Sequence, residues 1–289
     1  MKIAVIGANG QLGIDLCKTL NNCKVIPLLH KDIEVADITA VKRTLEKHKP
    51  DAIINTAAFV RVDDCETEPD KAFQVNALGA RNVAVIAGVL GAKLVHISTD
   101  YVFGGEPEPK SAPYTEFDTP VPLNTYGRSM LAGENFVQHL CNRYFIVRTS
   151  ALFGITGARG KGGNFVETII KLAKEHGKLR VVNDQVCSPT YTLDLARKIA
   201  QLIDTEYYGI FHITNSGACS WHEFATAILK LARLKTPVTP VTSAEYPQKA
   251  KRPSNSVLDN YQLRLLGMAD MRSWQEALQD YMTRKGHAE

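Results

Sequence analysis

The stretch KIAVIGANGQLGIDLCKTL, residues 2–20, decides the fold. Its opening run, KIAVI, is apolar without interruption after Lys2, the pattern of a strand covered on both faces. Gly7, Gly10 and Gly13 follow at once, and the residues from Gln11 to Leu20 carry helical spacing. Glycines at three such points permit a tight turn, close approach of backbone to a pyrophosphate, and close packing of helix on strand. The helix start adds unpaired N–H groups and the positive end of a dipole, both of which favour an anion. The stretch therefore reads as a dinucleotide cradle built from Gly7, Asn9, Gly10, Gln11, Leu12 and Gly13. Its spacing is GxxGxxG and not the GxGxxG of the common fingerprint, so the strand before it and the helix after it carry the reading against an ordinary glycine-rich turn.

Working outward, the same alternation continues. KVIPL (24–28), AIIN (52–55), KLVHIS (93–98) and YFIVRT (144–149) are short β-branched runs separated by longer amphipathic stretches. This is the signature of βαβ units on a parallel sheet. The expected fold class is α/β: a Rossmann-type doubly wound parallel sheet with a smaller mixed α/β substrate-binding region. Residues 1–149 form the dinucleotide-binding domain, and 150–289 form mainly the substrate-binding region, part of it packing back on the first. A helix is expected over 126–142 with Tyr126 near its start, and others near 164–175, 190–204 and 220–233, after a loop carrying Gly157, Gly160, Gly162 and Gly163.

Composition narrows the function. The 289 residues are 45% hydrophobic and 22% charged, which excludes a disordered chain and a coiled coil. A net charge of only +4 gives no mandate for nucleic acid or a membrane surface. No run reaches 18 apolar residues, and the N-terminus turns glycine-rich before a signal-peptide core can form, so a cytoplasmic protein is expected. Six cysteines without a CxxC spacing read as reduced thiols, and eight histidines without HExxH spacing give no metal site.

Cofactor choice is expected where the second strand ends, at Leu29, His30, Lys31 and Asp32. An acid there suits a ribose 2′-hydroxyl and a base tolerates a 2′-phosphate, so Lys31 points to NADPH, Asp32 to NADH, and the site reads as permissive. Asp37 and Ile38 are placed against adenine. The small residues Ala57 and Ala58, after the third strand, let the cofactor lie against backbone.

Further motifs carry a resemblance. HISTDYVFGG (96–105), PLNTYGRSMLAGE (122–134), VRTSALFG (147–154), NFV (164–166), DQVCSPT (184–190), SWHEFA (220–225) and KRPSNSVL (251–258) stand beside GANGQLG (7–13). With them the chain resembles, along its whole length, the extended short-chain dehydrogenase/reductases and, within these, the dTDP-4-dehydrorhamnose reductase family. The resemblance implies reduction of the 4-keto group of a nucleoside-diphosphate deoxysugar, a step of dTDP-rhamnose biosynthesis, with NADPH or NADH giving a hydride to C4. It also implies a triad of Thr99, Tyr126 and a Lys four residues after the tyrosine, where this chain has Met130. A lysine there would share a helical face with Tyr126, reach the cofactor ribose, and lower the phenol's pKa by about 1 to 3 units. Methionine offers neither charge nor donors, and its plain role is core filling. The phenol is then expected near its ordinary pKa of about 10, already protonated for reduction, whereas oxidation, which needs a base, fails first.

On the substrate side the resemblance places Val62 and Asp63 near the sugar, although Val60 and Asp64 stand where the family usually has Thr and Lys. Arg252 is the choice for the diphosphate, because a guanidinium fork matches phosphate oxygens bidentately. Asn164 and Phe165 are placed around the nucleoside base, and Trp221 is either core or base platform. The acids Asp63, Asp64, Glu66 and Glu68 lack calcium-loop spacing and read as complements to a helix dipole. The implied partner is a nucleoside-diphosphate sugar, with no nucleic acid, no membrane and a possible homodimer. Two alternatives stand beside this reading. One is a nucleotide-sugar epimerase or a dehydratase, against which Tyr101 replaces the dehydratases' usual Glu. The other is a non-catalytic NADP-binding regulatory subunit, since the methionine adenosyltransferase β subunit resembles the same family; Met130 favours it, and Thr99, Tyr126 and Arg252 favour an enzyme.

Overall fold

The computed structural model describes residues 1–108, 110–157 and 163–288. Its central sheet holds β1 (Lys2–Ile6), β2 (Lys24–Leu28), β3 (Ala52–Asn55), β4 (Lys93–Thr99), β5 (Tyr144–Thr149) and β6 (Gly209–His212). The order is β6-β5-β4-β3-β1-β2, and every pairing is parallel. From β1 the chain winds outward to β2 and then crosses back to β3, so the order reverses between β1 and β3. Ligands of open α/β sheets bind beyond the carboxyl ends of the strands at such a reversal. Register levels those ends, with Ile6 opposite both Leu28 and Asn55, and Thr99 opposite Thr149.

The five expected strands are present, and β4 runs one residue further, to Thr99. The edge strand β6 was not legible: four residues, GIFH, half-exposed at their first two positions, give no period. Of the loop glycines, Gly160 and Gly162 lie outside the described residues.

Helices cover both faces. On one side α1 (Gln11–Thr19) and α6 (Thr192–Ile203) pack Leu12, Leu16, Leu195, Ile199 and Leu202 against Ile3 and Val5. On the other, α2 (Ile38–His48), α3 (Gly79–Leu90) and α4 (Thr125–Leu140) pack Val41, Leu45, Val83, Ile86 and Val137 against Ala4 and Ile6. Neighbours on β1 thus face opposite layers, which is why the run is apolar without alternation. Each fully buried aliphatic side chain contributes roughly 1.5 to 3 kcal/mol.

A second core joins α5 (Phe165–Glu175), α7 (Trp221–Leu231) and α8 (Trp274–Lys285) through Val166, Ile169, Phe224, Ile228 and Tyr281. Ser220 with Glu223, and Ser273 with Glu276, form capping boxes at the starts of α7 and α8. The helical run Pro69–Leu90 is long and apolar enough to cross a membrane by length and composition. Half of its most apolar window is buried within the molecule, as in a core helix, and α3 packs Val83 and Ile86 against the sheet. All six cysteines are free thiols, and among the described residues no group of three His, Cys, Asp or Glu is placed to hold a metal ion.

Candidate active site

A cleft of 1030 Å³ opens over the carboxyl ends of β1, β3, β4 and β5. That exceeds the roughly 300 to 1,000 Å³ that suffices for a small ligand. Gly7, Asn9, Gly10, Gln11 and Leu12 form one wall. Gly7 turns the chain at φ +79°, and the N–H groups of Gly7 and Ala8 both donate to the Leu28 carbonyl of β2, at 2.9 and 3.2 Å. Gly10 caps α1 in extended conformation, with no side chain to satisfy the first-turn N–H groups.

The three glycines have different reasons to be there. A Cβ on Gly13 would stand 2.3 Å from the Gly7 carbonyl oxygen, and one on Gly7 2.5 Å from Thr56 Oγ1. Those two serve the packing of turn, helix and strand. A Cβ on Gly10 meets only the Gly7 oxygen, at 3.1 Å, so the fold nearly tolerates it. The buried Gln11 Oε1 and Thr149 Oγ1, both on the cleft wall, have no partner in the protein. A bare cradle, uncapped N–H groups and unpaired polar atoms together fit a dinucleotide. Gly10→Val is accordingly expected to leave a folded protein, at a cap cost of about 1 kcal/mol, while weakening NADPH and NADH binding a hundredfold or more, about 2.7 kcal/mol. Calorimetry finding unchanged affinity in the folded variant would remove the cradle from the cofactor site.

Beyond the carboxyl end of β2 the cleft lining differs from the residues singled out in the sequence. The cleft is lined there by His30, Ile33, Glu34, Val35 and Ala36, and not by Lys31, Asp37 or Ile38. The N–H groups of Asp32 and Ile33 fold back onto the Leu29 carbonyl, while the Asp32 carboxylate accepts from the Leu29 N–H at 2.9 Å. This turn sends Lys31 into solvent and returns Glu34 to the cleft. Asp37 caps α2 by accepting from Thr39 N–H at 2.8 Å, and Ile38 is exposed. Ala57 and Ala58 line the cleft.

Thr99 ends β4, and Tyr126 lies in the first turn of α4. The helix is aimed by its caps: Asn124 accepts from Gly127 N–H at 2.8 Å, and Glu66 accepts from both the N–H and the hydroxyl of Thr125 at 2.8 Å. A Cβ on Gly127 would lie 2.0 Å from the Tyr101 carbonyl oxygen, so only glycine lets α4 press this close. Tyr126 and Tyr101 consequently meet edge to face, ring centroids 5.9 Å apart, and the Thr99 hydroxyl lies near enough to the Tyr126 phenol to pull its pKa down. Burial pushes the phenol above its ordinary pKa, the Thr99 hydroxyl only partly opposing it. The expectation of an unperturbed phenol is therefore corrected upward. Met130 is 2% exposed, packed with Val102, Phe103, Tyr114 and Leu258, and it also touches the cleft.

Behind β4, Arg148 of β5 donates to Glu134 of α4 through Nε at 3.0 Å and Nη2 at 2.7 Å, with both side chains buried. Ser98 donates to the same carboxylate. The pair fixes α4 against β5, and the Ser98 bond fixes it against β4, the strand that carries Thr99.

Another wall of the cleft holds Val62, Phe165 and Trp221, the last two with ring centroids 4.6 Å apart. Asn164 touches the cleft but is occupied as the cap of α5: its Oδ1 accepts from Glu167 N–H at 3.0 Å and its Nδ2 donates to the Gly154 carbonyl at 2.9 Å. Asp63 and Arg252 lie outside the lining, joined to each other by two contacts of 2.7 and 3.1 Å that hold the Asp63 carboxyl below the usual range. The acids of this segment thus cap α4 and hold an arginine. Sequence reasoning missed Asp100, Tyr101, Ser150 and Ser256, all on the cleft wall. Their motifs were in view, and only the burial of their polar atoms marks them.

The model of the RmlD substrate binding domain matches residues 1–286. The chain belongs to that family. It is 42% identical over 289 residues to the spore coat polysaccharide biosynthesis protein SpsK of Bacillus subtilis, covering 99% of each chain. It is 36% identical to the dTDP-4-dehydrorhamnose reductase of Aggregatibacter actinomycetemcomitans, covering 96% of this chain and 97% of that one. Among solved structures it is similar to the dTDP-4-dehydrorhamnose reductase of Bacillus anthracis in complex with NADP, at 44% identity and TM-score 0.92, covering 98% and 99%. The RmlD family membership makes this chain an NAD(P)H-dependent oxidoreductase with a Rossmann-type sheet.

Proposed function

We propose that the chain reduces the 4-keto group of a nucleotide-linked deoxysugar of the dTDP-4-dehydrorhamnose type, using NADPH or NADH. The observation that carries this reading is the pair Thr99 and Tyr126, both lining the cleft that begins at the glycine cradle. A nicotinamide bound in the cradle supplies the hydride. Thr99 and Tyr126 present two hydroxyls to the carbonyl oxygen, and Tyr126 donates the proton that the resulting alkoxide takes up. A phenol held above its ordinary pKa is fully protonated at neutral pH, the state reduction needs. Arg252, locked to Asp63 outside the cleft lining, is the group assigned to the diphosphate, while Phe165 and Trp221 offer apolar surface to a base. The similarity to a spore coat polysaccharide protein favours a second reading at the level of the sugar only, a related keto sugar handled by the same groups.

The test is oxidation of NADPH and NADH across a panel of nucleotide 4-keto sugars. Turnover of none by a protein that binds cofactor would favour the regulatory-subunit alternative. Arg252→Ala is expected to raise KM for the accepted sugar by about tenfold to a hundredfold, the loss of a charge-assisted bond of roughly 1.5 to 3 kcal/mol, with a much smaller change in kcat. Steady-state kinetics with KM unchanged would take Arg252 out of substrate binding.

A further inference from the structure

Asp100 follows Thr99 and is 4% exposed, yet it has no cationic partner among its hydrogen bonds. All three of those from side chains come from hydroxyls. Ser150, just after β5, donates to Oδ2 at 2.8 Å, and Ser256, from the C-terminal segment, donates to the same oxygen at 2.6 Å. The other oxygen, Oδ1, accepts from Thr99 Oγ1 at 3.2 Å, and the Thr99 hydroxyl also acts on the Tyr126 phenol beside it, pulling its pKa down. Two donors on Oδ2 fix it as the accepting oxygen, so a proton on this carboxyl sits on Oδ1, aimed at Thr99. Ser150 and Ser256 both line the cleft, which gives the far end of the chain contact with its contents. On the other side of the phenol, Met130 has no exchangeable proton to give.

We propose that Asp100 recharges Tyr126 with its proton through the Thr99 hydroxyl, in place of the cation absent at position 130. This rests on the reductase reading above. As Tyr126 gives its proton to the alkoxide, Thr99 passes its own to the phenolate oxygen and takes the proton of Asp100 Oδ1. The Asp100 carboxylate, which itself lines the cleft, then regains one at Oδ1 from water there, while the two serines keep Oδ2 as the accepting oxygen. One hydride and one solvent proton enter the carbonyl, and every protein group ends as it began. Burial pushes the Asp100 carboxyl up to about 6, and the three hydroxyls pull it only partly back. The titratable groups facing it are Tyr101 from the same turn, Tyr126 from α4 and Cys187 from the strand Val186–Cys187, all raised by burial, while the Arg252 guanidinium acts on Tyr101. An acid with its pKa near the working pH is best placed to give and regain a proton.

Asp100→Asn separates a relay from a support. The amide reproduces the protonated carboxyl, with N–H toward Thr99 and oxygen toward the two serines, but it cannot release a proton. The parent's reductive kcat is expected to fall as pH rises through about 6; in Asp100→Asn it should be lower by about a hundredfold and flat across that range. A second readout needs no substrate: aspartate-labelled infrared difference spectra of the NADP⁺ complex between about pH 5 and about pH 8. The parent should show a carboxylic-acid band lost at the higher pH, absent from Asp100→Asn and displaced in Thr99→Val. Absence of that band, or an Asp100→Asn protein with the parent's rate and pH profile, overturns the relay. A parent that binds cofactor but reduces no sugar overturns the substrate reading instead, and the infrared result then decides the relay alone.

Discussion

Tyr126→Phe is expected to slow reduction by a factor of about 10² to 10⁴ while NADPH affinity stays within about twofold of the parent. The change removes one oxygen and keeps the ring, so the edge-to-face packing on Tyr101 survives. Thr99 Oγ1 still accepts from Tyr101 N–H at 3.2 Å and still donates to Asp100, so no buried hydroxyl is left unpaired. Stability should accordingly change by about 1 kcal/mol or less. What is lost is the proposed proton donor. Because burial raises the phenol's pKa, the parent should hold its proton well into the alkaline range, with no loss of reduction there from ionisation of this group. Single-turnover measurement of cofactor oxidation checks the effect, and a variant as fast as its parent would refute the mechanism.

Glu134→Ala should cost about 3 to 5 kcal/mol of stability. Glu134 is 0% exposed and holds Arg148, itself 1% exposed, through both oxygens. Truncation strands a guanidinium between β5, His212 Nε2 at 3.5 Å and the Phe103 ring. His212 offers no compensation, since burial and Arg148 itself hold that imidazole neutral, its pKa pushed down to about 3. Ser98 loses its acceptor as well. Replacing both partners, as in Glu134→Leu with Arg148→Met, should recover most of the loss, because the penalty lies in the unpaired charge. Denaturant unfolding of the four proteins gives the cycle directly, and a single-variant loss below about 1 kcal/mol would contradict it.

The sheet was legible because burial on both faces writes continuous apolar runs, as in β1, and because glycines mark where backbone comes close. β6 escaped because an edge strand of four residues carries no period. That Thr99 and Tyr126 line one cleft was legible through motif and helix position. The lining beyond β2 was not: whether Lys31 or Glu34 reaches the cleft depends on a turn closed by Asp32, and that turn is a hydrogen-bond pattern rather than a composition. Likewise Asp63 and Arg252 stand 189 positions apart, and nothing in either segment announces that each satisfies the other. Asp100 was passed over inside a quoted motif because a carboxylate's role is set by burial and by hydroxyls brought from β5 and the C-terminal segment.

The Asp63 and Arg252 pair also has a mechanical meaning. The C-terminal segment is fastened at Asp63 by Arg252 and by the Ala250 N–H at 2.9 Å, at the cap of α4 by Asn124 Nδ2 donating to the Lys251 carbonyl at 2.9 Å, and at Asp100 by Ser256. Three fasteners along seven residues, reaching Asp63, the cap of α4 and the residue after β4, leave this segment no slack. The cleft wall that carries Ser256 stands before any ligand arrives, so a ligand enters as a key enters a cut lock, and the entropy of ordering that segment is not charged against its binding.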